Sequence, residues 1–221
     1  MLALTNQLLD LSKIDSGGMK LELIESDLSR FLMILFNSFT PLAERNNIRF
    51  KFRIPGNEFR TYYDQDKIEK IVYNLLSNAF KFTPAGGLIE SSVKICQDRH
   101  PDVIEISVKD SGPGIPAEMA DKIFDRFYQL EGSARMDLSG TGIGLSLTKE
   151  LVKMLHGEIF INSKPGQGSK FTVIIPIGFK HLQQEEYTIM ELSDINESFV
   201  TIHAVLPYDT PGYEDQIINI G

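Results

Sequence analysis

Residues 74–83 read NLLSNAFKFT. Asn74, Asn78 and Lys81 recur at i, i+4 and i+7, so on a helix they share one stripe. Ile68, Ile71, Val72, Leu75, Leu76 and Ala79 form another stripe, at the spacing of a core-facing surface. Asp64 or Asp66 is placed to cap the start, and Thr83-Pro84 followed by Gly86-Gly87 ends the run. The pattern therefore predicts a helix over 65–81. Asn is a mediocre helix former because its side chain competes for the backbone. Two on one face have two readings: a solvated face, or a bound polar ligand with amide oxygens toward a metal and an ammonium toward phosphate.

Outward from this helix the chain alternates between periods. LALTNQLLDLSKI at 2–14 carries Leu4, Leu8, Leu11 and Ile14 at helical spacing, and Ser16-Gly17-Gly18 stops it. KLELIE at 20–25 reads as a strand. Asp27 caps a second predicted helix over 28–45, closed by Asn46-Asn47. IRFKFRI at 48–54 alternates like a strand, and RTYY at 60–63 is a shorter one. Two longer strands are predicted at 88–97 and 103–110, joined by a polar turn. A short helix near 117–123 and a polar stretch over 128–140 follow. A helix at 143–156 has Ile143, Leu147, Leu151 and Leu155 on one side and ends at Gly157. IFINS at 159–163 and KFTVIIP at 170–176 read as a closing hairpin. This order predicts an α+β protein, a two-layer sandwich with a mixed sheet of about five or more strands on three helices.

Composition narrows the class. The chain has 221 residues, 42% hydrophobic and 24% charged, as in an ordinary soluble domain. The densest apolar run, FLMILF at 31–36, is far shorter than the roughly 20 residues that span a bilayer. Neither a membrane contact nor a signal peptide is expected. The single cysteine, Cys96, excludes an internal disulfide and suits a reducing compartment. Net charge is −8. No Lys or Arg follows Lys180, and the eight acids beyond it account for the whole imbalance. Nothing in this distribution favours nucleic acid as a partner.

Three glycine-rich loops are candidates for chemistry. DSGPGIP at 110–116 directly follows a predicted strand; Gly112 and Gly114 allow a tight backbone, and Asp110 offers a carboxylate at the strand end. SGTGIGL at 139–145 opens a helix, where free backbone N–H groups attract phosphate. It is neither a dinucleotide fingerprint nor a Walker A loop, lacking a preceding strand and a Lys-Ser/Thr pair. PGQGSKF at 165–171 is most simply a hairpin turn.

Read in order, NLLSNAFKFT, DSGPGIP, IFDRFYQ at 123–129, SGTGIGL and GQGSKF resemble the successive motifs of the catalytic and ATP-binding domain of sensor histidine kinases. That domain belongs to the GHKL superfamily, which has the Bergerat fold and includes DNA gyrase, mismatch-repair ATPases and heat-shock chaperones. The resemblance runs from about residue 20 to 178. LLDLSKIDSG at 8–17 also resembles the end of the second helix of the dimerisation and phosphoacceptor hairpin. The implied organisation is 1–18 for that helix end, 19–178 for the ATP-binding domain and 179–221 for an acidic tail or linker, in which 198–207 reads as a strand.

The resemblance implies ATP and Mg²⁺ as ligands. Asn78 matches the metal-binding amide, Lys81 the phosphate contact, Phe82 a residue packing on the base, and Asp110 the acceptor for the adenine amine. Ser169 matches a hydroxyl that shares a water with adenine. Gly112, Gly114, Gly140, Gly142 and Gly144 shape the loops, and Ile115, Thr141, Leu145 and Tyr128 complete the lining. Asn74 stands where gyrase-like members carry a glutamate that activates water. An amide cannot act as a general base at neutral pH, so this is the kinase-like version. Tyr128-Gln129 departs from the usual Tyr-Arg, leaving Arg126 and Arg135 as substitutes for the positive contact to the γ-phosphate.

His100, His156, His181 and His203 are the only histidines, and none has the setting of a phosphoacceptor. The expectation is a kinase fragment, cut inside the second hairpin helix, and a monomer or at most a weak dimer. Its parent is a cytoplasmic part of a membrane-bound, possibly hybrid, receptor that works with its own hairpin and a response-regulator receiver domain. A gyrase- or chaperone-like ATPase switch and a non-catalytic module of the same fold are the competing readings.

Overall fold

The computed structural model describes residues 2–97, 101–129 and 142–191. Its elements follow the predicted order, with differences at three places, the last being a short strand, Tyr187–Ile189, in the segment read as a tail or linker. Helix α1 (Leu2–Asp15) leads to strand β1 (Leu21–Asp27). The predicted second helix is two: α2 (Leu28–Asn37) and α3 (Thr40–Arg45). Pro41 has no N–H to continue the ladder; just before it Phe39 N turns to Phe36 O, and Leu35 O takes the Ser38 hydroxyl at 2.7 Å. Then come β2 (Arg49–Arg53), β3 (Arg60–Asp64), α4 (Gln65–Phe82), β4 (Leu88–Cys96) and β5 (Val103–Asp110). The predicted short helix near 117–123 is a pair of 3₁₀ turns, Ala117–Met119 and Lys122–Phe124. The rest is α5 (Gly144–Met154), β6 (Glu158–Ser163), β7 (Ser169–Pro176) and β8 (Tyr187–Ile189).

Five strands form a mixed sheet in the order β2-β4-β5-β7-β6. Only β2 and β4 run parallel; Ile89 faces Asp110 and Val103 faces Pro176 across the antiparallel pairs. Strand alternation sends Ile104, Ile106 and Val108 inward beside Val173 and Ile175, all at or below 1% exposure. α4 and α5 cover that face with Ile68, Ile71, Val72, Leu75, Leu147 and Leu151. The opposite face is polar: Ser92 and Ser107 share a hydrogen bond, and Lys94 pairs with Glu105. One covered and one solvated face make the sandwich two-layered. A buried aromatic group, Phe39, Phe50 and Phe80, closes one end, with Phe39 stacked on Phe80 at 5.7 Å.

Asp64, not Asp66, caps α4: its Oδ1 accepts from Lys67 N and its Oδ2 from Glu22 N, which ties the helix start to β1. The carboxylate is buried and faces Lys67 Nζ at 3.2 Å. Burial pushes its pKa up, against the pull of that ammonium.

The second sheet has the order β3-β1-β8, with β8 parallel to β1. Residues 179–191 therefore pack onto the body. Phe179 meets Tyr62 edge-on at 5.0 Å, and His156 Nε2 lies 2.8 Å from Glu186 Oε1. The strand predicted at 198–207, with His100 and His203, lies outside the described residues. Among the described residues no helix is long and apolar enough to cross a membrane.

Candidate functional site

The polar stripe of α4 runs between two glycine-rich segments. At its Asn74 end, Asn74 Nδ2 donates to Gly144 O at 3.2 Å and to Thr148 Oγ1 at 3.3 Å, fixing α4 against the first turn of α5. Asn74 is buried, and Gly144 sits so close that an added Cβ would lie 3.5 Å from Asn74 Oδ1. At the other end the carbonyl of Phe82 abuts Gly112, where a Cβ would meet it at 2.9 Å. Asn78 and Lys81 lie between these contacts. Both are half-buried, and neither makes a side-chain hydrogen bond or ion pair among the described residues. Lys81 Nζ sits 4.9 Å from the ring centre of Phe82, which is exposed. Burial lowers the Lys81 pKa, as expected for an ammonium with no counter-charge.

Asp110 ends β5 inside this site, 7% exposed. Its Oδ1 accepts from Gly112 N at 2.8 Å and Ser169 N at 3.3 Å. Burial raises its pKa, and these N–H donors pull the other way. The backbone around it is crowded. Gly168, at φ +79°, could carry no Cβ without striking Asp110 O, and Gly114, at φ +72°, none without striking Lys164 O. The two outer loops are thus interlocked. Ser163 Oγ accepts from Ile115 N at 2.8 Å and lies 3.0 Å from Ser169 Oγ, so Ile115 and Ser169 are held by one hydroxyl.

The third loop is described only at its feet; Gly140, Thr141 and Arg135 lie outside the described residues. Phe127 N donates to Gly142 O at 2.9 Å. Phe127 has φ +63° and is 64% exposed, an unusual state for a bulky side chain. Gly142, at φ +68°, has no room for a Cβ, which would lie 2.7 Å from Phe127 C. Leu145 is half-buried at the start of α5. Tyr128 anchors inward, its hydroxyl donating to Met119 Sδ at 2.7 Å. Arg126 forks onto Asp15 at the end of α1, at 2.7 and 2.8 Å, so reaching a phosphate would require giving up that pair.

The structure thus brings Asn74, Asn78, Lys81, Phe82, Asp110, Gly112, Gly144 and Ser169 around one face of α4 and keeps Arg126 on α1. Contacts not foreseen from sequence are Thr148, Ser163 and the α1 residues Gln7 and Asp15. Of these, only Thr148 had a local signal, as a hydroxyl one turn into a glycine-opened helix. An apolar hollow lined by Leu21, Leu23, Ile68, Leu155 and Leu182 shares no residue with this face.

Comparison with known proteins agrees with this arrangement. The family described as histidine kinase-, DNA gyrase B-, and HSP90-like ATPase matches residues 63–178. Sensor histidine kinase TmoS of Ectopseudomonas mendocina is 37% identical over 94% of this chain, which spans 21% of that protein. Hybrid signal transduction histidine kinase D of Dictyostelium discoideum is 32% identical over 89% of this chain, which spans 13% of it. Among solved structures, the catalytic domain of histidine kinase ThkA is 25% identical and matches with a TM-score of 0.59, covering 76% of this chain and 100% of that one. With a two-layer α+β fold, a polar stripe on α4 and glycine loops at both its ends, the chain belongs to the histidine kinase-, DNA gyrase B-, and HSP90-like ATPase family, as an ATP-binding catalytic domain of the sensor histidine kinase type.

Proposed function

We propose that this chain binds Mg²⁺-ATP on the polar face of α4 and presents the γ-phosphoryl to a histidine carried by a phosphoacceptor hairpin. The observation that carries this reading is the pair Asn78 and Lys81: a half-buried amide and a half-buried ammonium without polar partners among the described residues. Leaving such groups unpaired is unfavourable, and a bound phosphate chain would satisfy both. Asn78 Oδ1 is suited to Mg²⁺, which takes oxygen ligands and commonly shares its shell with phosphates and water. Mg²⁺ would neutralise developing charge on the transferring group.

In this reading Lys81 pairs with phosphate oxygens and exposed Phe82 packs on the base. Asp110 accepts from the adenine amine. Guanine has a carbonyl at that position and would leave the Asp110 acceptor unpaired, so the site prefers ATP. Ser169 and the glycines Gly112, Gly114, Gly142 and Gly144 line the pocket with backbone. During transfer the bond from the γ-phosphorus to its bridging oxygen breaks, a bond to the histidine nitrogen forms, and ADP leaves. Asn74 supplies no base for water, its amide being committed to α5.

The acceptor histidine comes from elsewhere. His156 follows α5 at the end opposite Gly144, about 18 Å along the helix by its rise per residue, and is paired with Glu186. Helix α1 is read as the end of the hairpin's second helix. A receiver domain is the onward partner, and the setting is the cytoplasmic side of a membrane receptor.

Titration calorimetry with Mg²⁺ and a non-hydrolysable ATP analogue tests this. The expected result is micromolar binding, weaker for the guanine analogue and lost in Asp110→Asn, followed by phosphorylation of a supplied hairpin. A folded chain that binds neither nucleotide refutes the reading.

A further inference from the structure

The structure assigns to α1 a task beyond linking: it braces both feet of the glycine-rich loop at once. Four contacts make a closed circuit. Asp15 holds Arg126 in a two-pronged ion pair. Phe127, the next residue, donates its N–H to Gly142 O. Two residues on, Gly144 O accepts from Asn74 Nδ2. Asn74 Oδ1 in turn accepts from Gln7 Nε2 at 3.5 Å, which returns the circuit to α1.

The helix is well placed to act as a rigid bar. Gln7 and Asp15 are eight residues apart, about 12 Å along the axis. Between them Leu11 is buried in the core, and Asp10 binds Lys70 of α4 at 2.8 Å. The residues at 7, 10, 11 and 14 share one helical face, and Asp15 is the last residue of the same helix, so a turn or slide of α1 moves Gln7 and Asp15 together. Gln7 and Asp15 are therefore positioning residues. They act through Asn74 and Arg126 on the backbone that opens α5, the helix start next to the polar stripe. Feet held in place before nucleotide arrives lose less freedom on binding, so the braced domain binds tighter. By linkage, nucleotide also fastens α1.

This inference rests on the nucleotide reading above for its affinity consequence but not for the brace itself, and the experiment separates the two. The variants are Asp15→Asn, Gln7→Ala and the charge exchange Asp15→Arg with Arg126→Asp, all in the full chain. Hydrogen exchange without nucleotide is expected to speed up at residues 126–129 and 142–148 in Asp15→Asn and in Gln7→Ala. The Kd for the ATP analogue is expected to rise about three- to fivefold, the range of an exposed but two-pronged pair. The charge exchange is expected to restore both readouts. Unchanged exchange at both feet in folded Asp15→Asn and Gln7→Ala overturns the brace, as does a charge exchange that restores neither readout. If the parent chain binds no nucleotide, the functional reading fails while the exchange measurement still decides the brace.

Discussion

Asp110 shows how one side chain sets stability against binding. Burial holds its pKa above the ordinary value, with the Gly112 and Ser169 N–H groups opposing. In the folded chain it therefore takes up a proton at higher pH than in the unfolded chain. Its contribution to stability is full below the unfolded-state pKa and is lost as pH rises through the folded-state value. At neutral pH the buried carboxylate thus weakens the fold. Asp110→Asn keeps an oxygen for the two N–H donors and removes the charge. Its melting temperature is expected to rise while affinity for the adenine analogue falls at least about tenfold, the scale of a lost charged hydrogen bond. A variant that loses both stability and binding would contradict this account. Nucleotide affinity is likewise expected to drop as pH falls toward the acid range, at a higher pH than an exposed aspartate would dictate. Gly168 makes a steric counterpart. Gly168→Ala places a Cβ against Asp110 O in a left-handed backbone, and about 1–3 kcal/mol of strain is expected in denaturant unfolding.

Among the elements, α4 is the most legible and the most informative. Its two stripes are visible in residues 65–82 because helical geometry alone sorts them, and both ends carry recognisable stops. What Asn74 touches is not visible, since Gly144 and Thr148 lie 70 and 74 residues away. The sequence shows an amide where a general base is absent; the structure adds that the same amide joins two helices. Asn74→Glu is therefore expected to fail as a route to hydrolysis. The longer, charged side chain faces the Gly144 carbonyl, and unfolding should show a loss of about 1–3 kcal/mol with no gain in steady phosphate release. The break between α2 and α3 was legible in principle, because Pro41 sits in the run. The continuous apolar stripe from Phe31 to Ala43 masks it, since both helices bury the same side. The turns at 117–124 escape a helical reading because each is a single short turn, with no room for a period to repeat.

At the scale of the whole molecule, the sheet order follows from contacts that no local pattern encodes. β8 is three residues long, and its partner β1 lies more than 160 residues earlier. A strand that short reveals itself only when paired, so residues 179–191 read from sequence as acidic linker. Their packing predicts that the folded body extends past Gly178. Ending the chain there removes Phe179, Leu182 and Tyr187 from the surface of β1 and β3. A cost on the order of 2–3 kcal/mol and a melting temperature lower by about 5–10 °C are expected. An unchanged melting curve would make this segment an ornament. The pairing of β8 with β1 has a mechanical side as well. β1 follows directly on α1, and the two strands run parallel, so a pull that drags α1 away from the chain beyond Ile189 loads their ladder along its length. Hydrogen bonds stressed in that direction yield together rather than one at a time. Tension carried between neighbouring parts of a larger protein would be shared between this small strip of backbone and the contacts of α1 to Asn74 and Arg126.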